Sequence, residues 1–234
     1  MIAPTLLFVN AALFLGLLIW VIAAHRLRGE VWWWFAAWLG LASLHNLVMG
    51  ISAVMGPSTA SLDLWRGAQA LLAVEAVFLL LFARSFGREP GFARLLWSAP
   101  AAFCVALMIY FPVGLIQRTG RIYTVSTGNI EWLLFLIIIV FYVLAGIIYL
   151  AALYGLLHRS SPGEYERGAA LLVLAFLIFM VSFVLSQLSS ELGATALSAA
   201  HFGTFLTGLL VALALLRFRV TGKVPRTERR GMIQ

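Results

Sequence analysis

One acidic side chain lies near the middle of a membrane-length apolar segment, and it is the sharpest pointer to chemistry in this sequence. Glu75 falls within Leu64–Ala83, where its neighbours Val74, Val77 and Phe78 offer no polar partner. A spanning helix needs about 20 mostly apolar residues, and an ionised acidic side chain at its centre costs about 2.5–3.5 kcal/mol on insertion scales. Protonation would avoid that cost, and a polar partner on another helix would offset it. We therefore predict that Glu75 faces the interior of a helix bundle.

The other polar residues within apolar segments lie mostly toward one end of the predicted spans. Polar groups inside a membrane mark functional sites by default. Together with Glu75, the residues predicted to line a ligand site are His45, Asn46, Gln69, Gln187 and His201. All except Glu75 fall in the predicted outer half, whereas inner segments such as Leu79–Phe82 and Leu209–Leu216 are apolar. This distribution predicts a cavity that opens to the outside and is closed toward the cytoplasm.

Each of these polar residues also has a purely structural interpretation. Small polar side chains commonly join membrane helices, at about 0.6 kcal/mol per hydrogen bond, and we expect this of Asn10, Ser43, Ser182, Ser186 and Thr207. His45 and His201 each fit an interhelical hydrogen bond, a ligand contact, or a metal or haem ligand. Glu75 fits either a functional carboxylate or a structural partner of His45 or Asn46. Arg66 is excluded as that partner, because nine residues at about 100° each place it on the opposite side of the helix.

The composition identifies an integral membrane protein. The 234 residues are 63% hydrophobic and 11% charged, with a mean hydropathy of +1.01, whereas soluble domains carry about 25% charged residues. The formal charge of +7 does not indicate nucleic-acid binding, because the basic residues lie between apolar segments. The single cysteine, Cys104, excludes a disulfide within the chain and a cysteine-based metal site. Met1–Ala24 lacks a basic leading region and is not predicted to be a signal peptide.

Hydropathy divides the chain into seven predicted spans. Their boundaries are Pro4–Ala24, Val31–Met55, Leu64–Ala83, Leu95–Gly114, Ile130–Leu157, Ala169–Ser189 and Thr195–Leu216. Thirteen of the sixteen Lys and Arg residues flank these spans on one side, which the positive-inside rule assigns to the cytoplasm. The predicted fold is an all-α bundle of seven transmembrane helices in residues 1–216, with the N-terminus outside, followed by a basic cytoplasmic tail in residues 217–234. The predicted location is a prokaryotic cell membrane.

Aromatic residues and one long connection add detail to the predicted bundle. Tryptophans at both predicted boundaries are expected to form interfacial belts; they are Trp20, Trp32, Trp33, Trp34 and Trp97 at the inner side and Trp65 and Trp132 at the outer side. The longest connection is Val113–Asn129, where a Thr119-Gly120 turn signal precedes Ile122–Val125. This pattern fits an outer β-hairpin, and a plain loop fits equally well.

Several kinds of chemistry lack the residues they need. The only lysine is Lys223, in the tail, so a retinal Schiff base on a spanning helix is excluded. The sequence contains no Walker, HExxH or GxSxG motif and no paired carboxylates. We therefore predict a protein that is not an enzyme and that has no cofactor or metal. Haem or pigment binding through His45 and His201 stays open as a minor alternative.

Three patterns resemble those of a known family of membrane sensors. The third span runs into FARSFGREP at Phe82–Pro90, GNIEW at Gly128–Trp132 opens the fifth span, and the seventh span exits through Leu216–Arg217 toward Val224–Arg226. With the seven-span layout, these patterns resemble the N-terminal seven-transmembrane sensor region of some bacterial and archaeal histidine kinases and diguanylate cyclases. The resemblance implies that the membrane region senses a stimulus, that span seven is the output helix, and that a PAS, kinase or cyclase module transmits the signal. The chain departs from the family by ending about 18 residues after span seven and by carrying Glu75 in span three.

The leading functional hypothesis is a non-enzymatic membrane sensor. A small molecule or lipid would bind in the outer half of the bundle and shift span seven, and the tail would pass that shift to a cytoplasmic signalling partner. The alternative is an accessory subunit of a larger respiratory, photosynthetic or transport complex, in which small residues such as Gly146 and Gly203 pack against other subunits. A transporter is less favoured because the inner half lacks polar groups. The lipid bilayer is a partner in every case, and nucleic acid in none.

Overall fold

The computed structural model describes residues 2–25, 30–86, 98–119, 122–125, 129–160, 163–187 and 194–217. These residues form seven α-helices: α1 (Ile2–His25), α2 (Glu30–Val54), α3 (Thr59–Arg84), α4 (Ala99–Tyr110), α5 (Ile130–Ser160), α6 (Glu164–Gln187) and α7 (Ala194–Arg217). A 3-10 turn at Val113–Leu115 leads into the strands β1 (Ile116–Thr119) and β2 (Ile122–Val125). Trp97, residues 87–90 of the FARSFGREP pattern, Gly128 and residues 218–234 of the predicted tail lie outside the described residues.

Six of the helices in the described part of the chain are long and apolar enough to cross a membrane. They are α1, α2, α3, α5, α6 and α7, and their ends lie within five residues of the predicted spans. By length and composition the chain is therefore a multi-pass, helical membrane protein.

Helix α4 is shorter than the predicted fourth span, Leu95–Gly114. Its 12 residues rise about 18 Å, which is less than the roughly 30 Å of a hydrocarbon core. The helix stops because Pro112 follows Phe111, and the residue before a proline is driven from the helical region into extended backbone. Phe111 adopts φ −59° and ψ 130° accordingly. Leu95–Trp97, at the other end of the predicted span, lie outside the described residues.

Helix α3 begins five residues before its predicted start because its first turn is polar. Ser58 forms a capping box with Ser61: the Ser58 hydroxyl accepts from the Ser61 amide at 3.1 Å, and the Ser58 amide donates to the Ser61 hydroxyl at 3.3 Å. Such a box satisfies two backbone donors that the helix itself leaves unpaired. Hydropathy does not detect a polar capped turn, so the helix begins before the apolar span that was predicted to start at Leu64.

Successive helices pack against each other in alternating directions. Packing joins α1 to α2 and α7, α3 to α2, α4 and α5, and α6 to α5 and α7. Helices α1 and α7 run in the same direction, since Asn10 contacts His201 and, four residues further along each helix, Phe14 contacts Phe205. Helix α3 therefore lies at the centre of the arrangement and is the helix whose side chains are buried on most sides.

Aromatic rings fill much of the interior and correct the predicted tryptophan belts. The Trp132 ring stacks on Trp65 at 5.9 Å and on Phe135 at 5.1 Å between centroids, and such pairs contribute about 0.5–1.5 kcal/mol beyond their buried area. Trp32, Trp65 and Trp132 are buried, so the prediction that they anchor the membrane interface is wrong. They are buried because they face neighbouring helices. Trp20 and Trp33 are exposed, as interfacial residues should be.

Close helix approaches depend on glycine. A Cβ at Gly146 would lie 2.6 Å from the Phe176 ring, and a Cβ at Gly203 would collide with the Ser182 hydroxyl. These two glycines therefore pack against helices of the same chain. This arrangement differs from the contacts with other subunits that the accessory-subunit hypothesis assigns to them.

The long connection after α4 contains the predicted hairpin. Strands β1 and β2 pair antiparallel, with Thr119 opposite Ile122, so the alternative of a plain loop is wrong. The hairpin is held to the start of α3 and the end of α2: Tyr123 Oη lies 2.6 Å from Ser61 Oγ, and Arg118 donates to the Met55 carbonyl at 3.1 Å.

Candidate functional site

A small polar cavity lies between α2, α3, α6 and α7, toward the end of the bundle at which α6 ends and α7 begins. Its volume is about 50 Å³, which is room for a few water molecules. All six residues predicted to bind a ligand line it, together with eight others; the full set is His45, Asn46, Met49, Gln69, Leu72, Glu75, Phe179, Ser182, Phe183, Ser186, Gln187, Ala200, His201 and Thr204. Ligand binding by these residues stays a prediction.

Helical spacing explains why these side chains meet. Residues three or four apart lie on the same face of a helix. Gln69, Leu72 and Glu75 follow each other at intervals of three along α3, and Ala200 and Thr204 are four apart on α7. Each of the four helices thus presents one stripe to the same space, and each stripe mixes polar with apolar groups.

The partner of Glu75 is His45. The His45 Nδ1 atom lies 3.2 Å from Glu75 Oε2, and the two side chains are 15% and 2% exposed. Asn46, the other predicted partner, instead donates to the Ala42 carbonyl of its own helix at 2.7 Å. The buried carboxylate is therefore held by a hydrogen bond between α2 and α3, as its structural interpretation predicts, and it still lines the cavity.

Two buried polar atoms on the cavity wall have no hydrogen-bond partner among the described residues. They are Gln69 Oε1 and His201 Nε2, on side chains that are 5% and 8% exposed. The Gln69 amide nitrogen contacts only Met49 Sδ, at 4.0 Å, and a thioether is a weak acceptor. An unpaired buried polar group destabilises the folded state by about 1–3 kcal/mol. A water or ligand that forms hydrogen bonds with these two atoms would therefore bind favourably in the cavity.

The cavity wall carries no permanent positive charge in the described part of the chain. Arg66 points away from it, since its guanidinium lies 3.6 Å from Asp63 and also donates to the Phe111 carbonyl. The titratable groups on the wall are Glu75, His45 and His201. The predicted separation of Arg66 from Glu75 on α3 is thus confirmed.

Of the five polar residues predicted to join helices, three form the interhelical hydrogen bond and Ser182 does not. Asn10 donates to the His201 carbonyl at 2.8 Å, Ser43 to the Ala11 carbonyl at 2.8 Å, and Thr207 to the Ala175 carbonyl at 3.2 Å. Ser182 instead donates to the Ile178 carbonyl of its own helix at 2.7 Å, so that prediction is wrong for Ser182. A hydroxyl that satisfies itself on its own helix is free to line a cavity.

Sequence reasoning missed several apolar and small residues of the wall. Met49, Phe179 and Phe183 border the polar groups, but apolar residues inside apolar spans carry no signal that separates a cavity wall from ordinary packing. The spacing of four residues from Ser182 to Ser186, about one helical turn, is the signal in the sequence that points to this face of α6.

The size and composition of the site bear on the metal and haem alternatives. A cavity of about 50 Å³ is about a third of the roughly 150 Å³ that accepts benzene, and a haem or a pigment is larger than benzene. Within the same residues, no group of three His, Cys, Asp or Glu side chains is placed to hold a metal ion.

No protein-family model, curated protein or solved structure matches this chain. The likeness to sensor regions of histidine kinases and diguanylate cyclases therefore stays a hypothesis that rests on the sequence patterns.

Proposed function

We propose that this chain is a non-enzymatic membrane sensor whose cavity between α2, α3, α6 and α7 binds a small polar ligand. The observation that carries the proposal is the convergence of a buried carboxylate with two unpaired polar atoms, on Glu75, Gln69 and His201. Most buried polar groups in proteins have a hydrogen-bond partner, and a ligand in the cavity would supply one to both Gln69 Oε1 and His201 Nε2. With about 50 Å³ available, the proposed ligand has only a few heavy atoms and is smaller than the lipid that the sequence allows.

The proposed topology has seven spans, with α4 and the residues before it as the fourth. In this arrangement the N-terminus lies outside and the C-terminus in the cytoplasm of a prokaryotic cell. The distribution of thirteen of sixteen basic residues on one side supports it. The cavity then lies in the outer half of the bundle, where an external ligand reaches it from the end of α6.

Helix α7 is the proposed output element. It contributes Ala200, His201 and Thr204 to the cavity wall and packs on both α6 and α1. A ligand that binds one arrangement of α7 better than another shifts the population toward it. The resemblance of the chain to the sensor regions of histidine kinases and diguanylate cyclases supports the same direction of signalling, from the cavity through α7 to a cytoplasmic partner.

The accessory-subunit hypothesis has no comparable support. The apolar side chains exposed on α1 and α5, such as Ile19 and Ile148, suit contact with lipid as well as contact with another subunit. Migration on a native gel in mild detergent separates the two hypotheses, because an obligate subunit co-migrates with larger partners and a sensor module does not.

The coupling between cavity and α7 is testable by distance measurements. Spin labels at Ile148 on α5 and Leu213 on α7, both exposed and about equally far from the starts of their helices, would be attached in a Cys104→Ala background and reconstituted in nanodiscs. Glu75→Gln is expected to shift the inter-label distance distribution by about 1–2 Å, the scale of helix shifts in switching proteins.

Asp63→Asn is the matched control for this experiment. Asp63 is also a carboxylate of α3, but it is exposed and does not line the cavity. The Asp63→Asn substitution should therefore leave the inter-label distance distribution unchanged. Identical distributions in the parent, Glu75→Gln and Asp63→Asn would refute a cavity that is coupled to α7.

A further inference from the structure

Three polar groups on the cavity wall, on Thr204, Ser182 and Gln69, are placed to accept hydrogen bonds from a ligand. Thr204 gives its single hydroxyl proton to the Ala200 carbonyl at 3.0 Å, and Ser182 gives its own to the Ile178 carbonyl at 2.7 Å. A hydroxyl has one donor and two acceptor sites, so both can only accept from a ligand. Gln69 Oε1, which has no partner among the described residues, is a further acceptor.

The charged groups of the wall also favour a ligand that donates hydrogen bonds. Glu75 is buried, and among the described residues its carboxyl group has a histidine nitrogen, His45 Nδ1, as its hydrogen-bond partner. Helix α6 contributes no titratable side chain to the wall, and α7 contributes only His201. Taking a carboxylate out of water is costly unless positive charge and hydrogen bonds compensate for it. A cation that donates hydrogen bonds supplies both.

We propose that the cavity binds a small ammonium-type cation, either ammonium itself or a short primary amine. Its N–H groups would donate to the carboxylate of Glu75, to Gln69 Oε1 and to the hydroxyl of Thr204. This inference names the ligand class of the proposed sensor site and rests on that site. It also explains why a cluster that is rich in acceptors contains no arginine or lysine among its described lining residues.

Size and coordination separate this class from other cations. About 50 Å³ accommodates an ion with one to three heavy atoms. Calcium takes six to eight oxygen ligands, whereas the described residues of this wall include a single carboxylate. Tetramethylammonium has the right charge but no N–H donor, so it tests whether the directed hydrogen bonds matter.

The experiment measures the unfolding temperature of the full chain in detergent by tryptophan fluorescence at pH 7. Ammonium, methylammonium, tetramethylammonium and sodium chlorides are compared at equal ionic strength. The unfolding temperature is expected to rise with the concentration of ammonium or methylammonium, as mass action requires for a ligand of the folded state. Equal stabilisation by tetramethylammonium or sodium, or no stabilisation by either N–H cation, would overturn the proposal.

Variants assign the effect to the cavity. Glu75→Gln should weaken the apparent affinity for methylammonium by about tenfold or more, since hydrogen bonds to charged groups contribute about 1.5–3 kcal/mol. Thr204→Val removes one acceptor and nearly preserves the side-chain volume, so it should weaken the affinity for methylammonium by a smaller factor. If Glu75→Gln does not fold, Thr204→Val tests the assignment of the cation to the cavity. Asp63→Asn should leave it unchanged. An affinity that survives both cavity substitutions would place the cation elsewhere and overturn the assignment.

The two proposals fail separately. If the N–H cations do not bind but Glu75→Gln still moves the spin labels, the ligand class is wrong and the sensor proposal stands. If the cations bind and the labels do not move, the binding site stands and its coupling to α7 is refuted.

Discussion

Replacing Gly203 by alanine is expected to destabilise the packing of α6 against α7 beside the cavity. The new Cβ would collide with the Ser182 hydroxyl, and it would also lie 3.2 Å from Ser182 Cβ and 3.6 Å from a methyl group of Ile178. The first contact cannot be accommodated without movement, because the Ser182 hydroxyl is itself bonded to the Ile178 carbonyl. Either the Ser182 side chain rotates and loses this hydrogen bond, or one helix moves away from the other.

The magnitude follows from two opposing effects. Overpacking a tight interior costs about 1–3 kcal/mol, while alanine in place of glycine within a helix gains about 0.5–1 kcal/mol. The matched control is Gly16→Ala on α1, where a Cβ meets nothing within 4 Å. Because both variants share the helix-propensity gain, the difference between their free energies of unfolding isolates the collision and should be about 1–3 kcal/mol.

A double-mutant cycle assigns this cost to its cause. Ser182→Ala removes the colliding oxygen, so Ser182→Ala/Gly203→Ala should be more stable than the sum of the single variants by at least about 0.5 kcal/mol. The recovery should be incomplete, since the 3.2 Å contact with Ser182 Cβ remains. The free energies would be measured by equilibrium unfolding in mixed micelles of increasing dodecyl sulfate fraction. If Gly203→Ala is as stable as Gly16→Ala, or if the two sites prove additive, the close approach of α6 and α7 at this point is refuted.

Three further predictions test other parts of the structure. In a Cys104→Ala background, Asp63→Cys should react with an impermeant maleimide on intact cells, and His158→Cys should not. The reason is that these two exposed positions lie on opposite sides of the membrane in the proposed topology. The reverse labelling pattern would show that the topology is inverted. Tyr123→Phe should lower stability by about 0.5–1.5 kcal/mol and speed hydrogen exchange in the hairpin through loss of the 2.6 Å contact with Ser61, and unchanged exchange would contradict that contact. Trp132→Ala should cost about 3–5 kcal/mol, whereas Trp33→Ala, at an exposed position, should cost far less; equal costs would mean that Trp132 is not buried among Trp65 and Phe135.

Much of the fold was predictable because hydropathy is a local property. The length and apolar content of each segment determine whether it suits a membrane, so six long helices fall within five residues of their predicted ends. The exceptions follow local rules that hydropathy does not contain. A capping box extends α3, and Pro112 ends α4.

Much of the candidate site was predictable for a related reason. A polar side chain inside an apolar span stands out in the sequence alone, so all six predicted residues could be named before their neighbours were known. What they contact could not be named. His45 and Asn46 are consecutive, and only the rotation of α2 about its axis decides that His45 meets Glu75 while Asn46 bonds to its own helix.

That this is a helical membrane protein with a few polar groups that need partners follows from the sequence, because those properties reside in single segments. Only the packing of the helices shows that Trp65 and Trp132 face inward, that the Thr204 and Ser182 hydroxyls donate to their own helices, and that the cavity has a volume of about 50 Å³. The physical reason is that burial, pairing and volume depend on how separate helices rotate and approach one another. Residues distant in the chain determine those variables jointly, so no single segment contains them.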